Sequence, residues 1–543
     1  MRNVTSHPTS NSSSSTGSSP ILARKNMSTM SSTPSEKVED DVALDPVLDS
    51  EALLGTSDWR VDVELRWQRP HHYLRRFGKH IVKAAAYTFL PSCLQRSEHR
   101  SVPQNKSNQS FAALDGLRGI ACLIVVNQHF TYNFTEMIFA GWGTSPEAHY
   151  IIHLPFFSLL FNGQAMVSVF FVISGFVLSN RPLKLARAKQ WDKLLDNMAS
   201  AAFRRVVRLY LPVAASLFLI TVMTWAGLFE PARAVKESDI LTGNEDVPHR
   251  YETFGRQLWE WWLNVWLQIH PVMGSSTLDF HMWTLPVELR TSFTLFLTLV
   301  ALSKLTYFWR TVVALTLILW CIWLRRDTQT MFYSGMLLAD LDQHLAGAQE
   351  GPTMSGGSSI PTDKLKRANV GHIVMFVVGL YCLSTSYGDL SGPFYEPLRA
   401  LNPPSFGTDG AWLKIVGATI TTFTMKRYGL LQPLCTNAFA QYLGKVSKPH
   451  LDPDAKLTYT GQISYALYLC HGMVIRSWGY SVIPYMYRIS GGRETDVGFG
   501  LAWILTAVAV FPVIFWVSDV FCRLVDMPSV TFGRWLEAKM RAV

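Results

Sequence analysis

The chain has 543 residues, of which 48% are hydrophobic, 13% aromatic and only 16% charged. Soluble domains carry about 25% charged residues, and mean hydropathy here is +0.14 although the first hundred residues are polar. An ordinary soluble domain is thereby excluded in favour of a polytopic membrane protein. The net charge of +9 fits basic cytosolic loops. No clustered basic and aromatic motif accompanies it, so no nucleic-acid partner is expected.

Residues 1–110 read as a cytosolic tail. The first fifty are rich in Ser, Thr, Asn and Pro without an apolar core, the composition of a disordered segment rather than a signal peptide. Asn3, Asn11 and Asn26 begin glycosylation sequons that would be silent in the cytosol. Phe77 to Leu94 is short, basic and amphipathic, suited to the cytosolic leaflet. Ten apolar segments follow, near 112–134, 158–180, 206–228, 284–303, 308–324, 331–347, 370–387, 411–425, 461–485 and 500–522. The expected fold is an all-α integral membrane bundle of about ten spans over residues 111–525, with a short cytosolic tail at 526–543.

Orientation follows from lysine and arginine placement. The stretch before the first span is basic, as is the link between the second and third, with Lys184, Arg187, Lys193, Arg204, Arg205 and Arg208. The link between the third and fourth leans acidic, with Glu230, Glu237, Asp239, Glu245, Asp246, Glu252 and Glu260. These place both termini in the cytosol, with Arg325 and Arg326 breaking the rule. Leu258 to Ile269, LWEWWLNVWLQI, is dense in tryptophan, which favours a membrane interface; a packed lumenal loop is the equal alternative. Residues 348–369, rich in Gly, Ser and Pro, read as a flexible loop.

The seven cysteines are scattered and form no CxxC pair, so neither a disulfide framework nor a metal site is expected. Cys470 beside His471 reads as a packing residue rather than a nucleophile.

The chemistry concentrates in a few spans. Phe111 to Phe130, FAALDGLRGIACLIVVNQHF, carries Asp115, Arg118 and His129. Arg118 and His129 are eleven positions apart, which returns to nearly the same helix face about 16 Å along the axis. Ionisable groups in such a segment face a bundle interior or a wet cavity. Arg204, Arg205 and Arg208 sit at helical spacing before the third span, where guanidinium forks suit phosphate oxygens as well as a plain positive-inside anchor. In HMWTLPVELRTSF, Pro286 suits a first helical turn, placing Glu288 near a lumenal helix start, at a depth expected to match His129. The segment GQISYALYLCHGMVI puts Ser464, Tyr468 and His471 on one face, beside Tyr465; interhelical hydrogen bonding is the default for such a stripe. In FFVISGFVLS, Ser174 and Gly175 allow close helix approach.

Taken in order, LDGLRGIA with His129, FFVISGFVLS, the Arg205–Arg208 pair, WTLPVEL with Trp283 and Glu288, and SYALYLCH resemble the successive signatures of the membrane-bound acyltransferase-3 family over roughly residues 110–525. The tail, the long link at 229–281 and Pro286 depart from that pattern. The resemblance implies O-acyl transfer, often of acetyl, from cytosolic acyl-CoA to a hydroxyl of a glycan, lipid or small secondary metabolite, and suggests a fungal-like member. Arg118, Arg205 and Arg208 would then hold coenzyme A phosphates. His129 would act as general base or transient acyl acceptor, and Glu288 would orient it. Asp115, Trp283, Ser464, Tyr465 and His471 would line the cavity, and no metal would be needed. A multi-pass transporter is the alternative that buried ionisable groups also allow, although no inverted repeat is visible.

Overall fold

In the structure, a computed structural model, each of the ten apolar segments overlaps a helix, and the ninth, 461–485, divides between two helices and the π turn that joins them. The structure describes residues 89–90, 106–238, 240–243, 245–270, 276–349, 362–385, 390, 392–406, 410–444 and 463–541. Residues 78–543 form one unit. Of the expected tail at 1–110, residues 1–88 and 91–105, including most of the expected leaflet segment Phe77 to Leu94, lie outside the described residues, as do residues 350–361 of the expected loop.

The helices are α1 Lys106–Tyr132, α2 Gly163–Arg187, α3 Trp191–Trp225, α4 Glu230–Lys236, α5 Phe254–Ile269, α6 Thr284–Leu302, α7 Tyr307–Trp323, α8 Asp327–Gln349, α9 Thr362–Leu383, α10 Glu396–Arg399, α11 Ala411–Arg427, α12 Gln432–Thr436, α13 Ala438–Gly444, α14 Ser464–Val474, α15 Tyr480–Ser490, α16 Asp496–Phe521 and α17 Met527–Met540. No strand occurs among the described residues. By length and composition five helical stretches among the described residues suit a membrane crossing: Phe111–Tyr132, Gly163–Arg187, Trp191–Trp225, Phe280–Leu302 and Asp496–Met540, with Tyr307–Trp323 and Val370–Leu383 shorter but apolar. The protein is a membrane protein whose described residues are helical and without strands.

Two buried apolar clusters meet along α1. One joins it to α2, α8 and α11 through Leu114, Val172, Phe332 and Ala418. The other joins it to α3, α14 and α16 through Val126, Leu217, Leu467 and Val510. Helix association inside a bilayer depends on close van der Waals packing because lipid is as apolar as the core. The crossing of α2 and α8 shows this. Gly175 lies against the backbone of Phe332, and Gly335 against Val172 and Phe176, so a Cβ at either position would collide with main chain. The small residue read from FFVISGFVLS is thus a packing device. Gly116 and Gly119 similarly admit Cys435, Leu443 and Gly444 on α12 and α13.

Three elements depart from the sequence reading. Helix α3 begins at Trp191, fifteen residues before the expected span start at 206. The segment expected as a short tail is helix α17, with Glu537 pairing with Arg204 of α3 at 3.3 Å. The tryptophan-rich segment is α5, and it packs lengthwise on α3: Phe254 meets Trp225, Trp261 meets Phe218, and the Gln268 carbonyl accepts from Tyr210 at 3.0 Å. It therefore runs antiparallel to the second half of α3.

Between α14 and α15 the chain takes one π turn, Ile475–Gly479. Such turns cluster at functional sites, and this one carries the buried Arg476.

Candidate active site

Four segments bring His129, His281, His471, Glu245 and Asp279 together. Helix α1 supplies His129. The link after α4 supplies Glu245. The turn before α6 supplies Asp279 and His281, and α14 supplies His471. His129 Nδ1 lies 3.0 Å from His281 Nε2, and both nitrogens lie 3.3 Å from Glu245 Oε1. The opposite nitrogen of His281, Nδ1, is 2.6 Å from Asp279 Oδ1. Arg476 closes the far side, 3.3 Å from the same oxygen, while donating to the carbonyls of Asp246 at 2.9 Å and Leu278 at 3.1 Å.

Local chain geometry explains the convergence. Asp279 caps the short turn Phe280–Trp283 by accepting from the His281 N–H at 3.2 Å. Tyr468 on α14 donates to the His281 carbonyl and lies 2.7 Å from the Thr284 hydroxyl, which fixes the start of α6 against α14. Gly472 leaves the space that the His281 ring fills, since a Cβ there would stand 2.6 Å from Nδ1. His471 donates from Nδ1 to the Tyr468 carbonyl at 2.7 Å. The stripe Ser464, Tyr468 and His471 therefore points into the bundle.

Burial works against ionisation of Glu245, but the His281 and His129 imidazoles override it and hold the carboxyl below the ordinary carboxylate range. Burial also opposes ionisation of Asp279, where Arg476 and His281 prevail and lower it to about 2. Both carboxylates are charged at neutral pH. His281 thus has a carboxylate at each ring nitrogen, a geometry that a proton on each nitrogen satisfies. His129, His281 and His471 present ring nitrogens within 4.8 Å of one another, a donor type that zinc takes.

A second polar cluster lies further down α1. Arg205 donates to Glu288 at 2.7 Å, and Ser174 donates to the same carboxylate oxygen at 3.3 Å. Arg118 reaches Ser464 at 3.5 Å and lies within electrostatic range of Asp115, Arg208 and Glu288. Glu288 is accordingly not the carboxylate of His129; Glu245 is. The reason is register. The turn Phe280–Trp283 puts His281, seven residues ahead of Glu288, at the histidine level, which leaves Glu288 about 10 Å further along α6. The early start of α3 puts Arg205 inside the bundle opposite it. Tyr465 bonds the Leu209 carbonyl of α3 at 2.7 Å, away from the histidines, and Trp283 is exposed.

Helix α1 thus carries Arg118 at the level of the arginine cluster and His129 at the level of the histidine–carboxylate cluster. Residues 111–523 match the acyltransferase domain family, Acyl_transf_3. The chain belongs to this acyltransferase family. It is similar to O-acetyltransferase PaAT-1 of Phomopsis amygdali, 29% identical over 82% of this chain and 87% of the relative. Acyltransferase clz18 of Cochliobolus lunatus and acyltransferase R4 of a Phoma species are each 22% identical over 79% of this chain and 96% of their own lengths. No solved structure matches.

The histidine cluster of this acyltransferase contains residues that sequence reasoning did not single out as site residues: Glu245, Asp279, His281 and Arg476. His281 stood two residues before the WTLPVEL block, and Asp279 two residues before His281, so a signal existed. Glu245 and Arg476 carried none, because they meet the cluster from a long link and a π turn, neither of which has a periodicity to read.

Proposed function

We propose that this enzyme is a multi-pass membrane O-acyltransferase of about ten crossings, moving an acyl group, in the simplest case acetyl, from cytosolic acyl-CoA to a hydroxyl-bearing acceptor. The donor would enter from the side where both termini lie. The observation that carries this reading is the largely buried ring of His129, about 19% exposed, held at Nδ1 by a buried carboxylate 3.3 Å away, eleven residues beyond Arg118 on one helix.

In this reading His129 donates its Nδ1 proton to Glu245, which leaves the Nε2 lone pair to act as base. Nε2 takes the proton of the acceptor hydroxyl as its oxygen attacks the thioester carbonyl. The C–O bond forms, the tetrahedral intermediate collapses, the C–S bond breaks, and the thiolate recovers the proton from the imidazolium. Glu245 stabilises that imidazolium and sets its tautomer. Arg208, which is exposed, and Arg118 would receive coenzyme A phosphates. Arg205, whose fork is shared with Glu288, would shape the same site. Ser464 and Asp115 border Arg118 and would line the donor path, with His471 behind the base. A phosphate-to-thioester arm has the length to link the two clusters, about 16 Å apart along α1.

The acceptor class follows from the named relatives only in outline. One is named an O-acetyltransferase, which supports acetyl as the group moved, with a glycan, a lipid or a small secondary metabolite as the hydroxyl-bearing acceptor. The test is transfer of radiolabelled acetyl from acetyl-CoA by membranes containing the enzyme, supplied with a metabolite extract, against His129→Ala at equal abundance. Base-labile labelled product from the wild type alone is expected. Equal labelling by the variant would overturn the role of His129.

A further inference from the structure

Helix α5 is amphipathic in the inverted sense. Its buried stripe is polar: Gln257, Asn264 and Gln268 are fully buried. Its outward stripe is apolar, with Trp259, Trp262 and Trp266 exposed by 62%, 53% and 54%, flanked by Leu263 and Ile269. Spacing of three and four residues makes this one continuous face. Facing water, such a stripe would forfeit about 25 cal/mol for each Å² of apolar surface. It borders Leu211, Phe218 and Val222, exposed on α3, a helix suited by length and composition to cross the membrane. Because α5 runs antiparallel along α3, its outer face continues the lipid-facing surface of that crossing.

The inner face reaches the histidine cluster through one residue. Asn264 Oδ1 accepts from the Ser276 hydroxyl at 2.8 Å, the Thr277 N–H at 2.7 Å and the Leu278 N–H at 3.3 Å. Its Nδ2 donates to the Glu260 carboxylate at 3.1 Å. Ser276 in turn accepts from the Asp279 N–H at 3.1 Å. The strand of chain that presents Asp279 to His281 is thus gripped by α5 from behind.

We propose that α5 is a membrane-inserted brace: bilayer lipid covers its tryptophan stripe, and Asn264 transmits that anchorage to the segment Ser276–Asp279, holding Asp279 on His281. Asn264 is a positioning residue, acting through Asp279. The lipid contact stands independently of the acyl-transfer reading, whereas the effect on turnover rests on it.

The full chain would be placed in nanodiscs whose phospholipids are brominated along the acyl chains, and compared with the triple variant W259F/W262F/W266F, which keeps the face apolar. The triple variant is expected to lose part of the bromolipid-quenched tryptophan emission. If the lost emission instead belongs to the fraction quenched by aqueous iodide, water covers the face and the proposal fails. If it belongs to neither fraction, another protein surface covers it and the proposal fails equally. For the brace, Asn264→Ala at normal abundance is expected to lower kcat at least tenfold while KM for acyl-CoA holds, since the arginine cluster is untouched. An unchanged kcat, or a rise in KM alone, would overturn the coupling while leaving the acyl-transfer reading intact.

Discussion

His129 and His281 meet edge to face, with ring centroids 4.0 Å apart and planes at 87°, and both aim a nitrogen at a single oxygen of Glu245. That shared oxygen makes Glu245 the hinge of the site. Glu245→Gln keeps the shape but replaces a charged acceptor by a neutral amide, which no longer selects the Nδ1–H tautomer of His129. A fall in kcat of about 10²–10⁴-fold is expected, the usual range for a positioned acid–base group, with KM for acyl-CoA little changed. Steady-state kinetics on purified enzyme would check this. A variant within twofold of wild type would remove Glu245 from the mechanism.

The two carboxylates also predict how stability responds to acid. Asp279 is lowered from an ordinary 3.8 to about 2, and Glu245 is shifted in the same direction. A depressed carboxylate contributes stability above its unfolded pKa and loses it as pH falls toward its folded one. The Tm difference between wild type and Asp279→Asn should therefore stay constant from pH 8 to 5 and shrink only below about pH 4. Thermal melts in detergent across that range would show it; a difference that widened on acidification would reverse the assigned sign.

Gly472 offers a steric test of the same geometry. A methyl group there would stand 2.6 Å from His281 Nδ1 and 3.3 Å from Asp279 Oδ1, so Gly472→Ala must displace the ring or the helix. Overpacking of this kind costs about 1–3 kcal/mol. Reduced thermal stability with a loss of turnover larger than the loss of folded protein is expected. Activity tracking folded protein one to one would mean that the His281 position is irrelevant to the chemistry.

These residues show what could be read in the chain and what could not. Each of the ten apolar runs overlaps a helix, because sustained hydrophobicity is a strong signal, whereas α17 lay outside all ten. The face shared by Ser464, Tyr468 and His471 was equally legible, since helical periodicity fixes it within one element. Pairing between elements was not. Glu288 seemed suited to His129 because the helix start, with Pro286 in its first turn, was read as the histidine level, whereas the short turn Phe280–Trp283 ahead of that start carries His281 to it; each further helical turn moves a side chain by about 5 Å. Arg205 seemed to open a helix because its polar N-terminal half, Trp191 to Arg204, lacks the apolar signature of a span yet folds as part of α3. Glu245 came from a segment whose acidity had been read only as a sign of topology.

The Arg205–Glu288 pair gives the remaining prediction. Its side chains are 16% and 23% exposed, enough burial for the 2.7 Å contact to matter and enough solvent to soften the loss of either partner. If the pair shapes the donor site, Arg205→Ala and Glu288→Ala should each raise KM for acyl-CoA, and the double variant should be milder than the sum of the two. A coupling of about 0.5–3 kcal/mol in a double-mutant cycle on folding stability is expected. The base itself would be untouched, so the pH dependence of kcat should match wild type in all three variants. Were Glu288 instead the partner of His129, Glu288→Ala alone would shift that pH profile, and Arg205→Ala would not. The cycle and the profile together separate a structural ion pair from a catalytic carboxylate, because only a group hydrogen-bonded to the base changes the proton affinity that the profile reports.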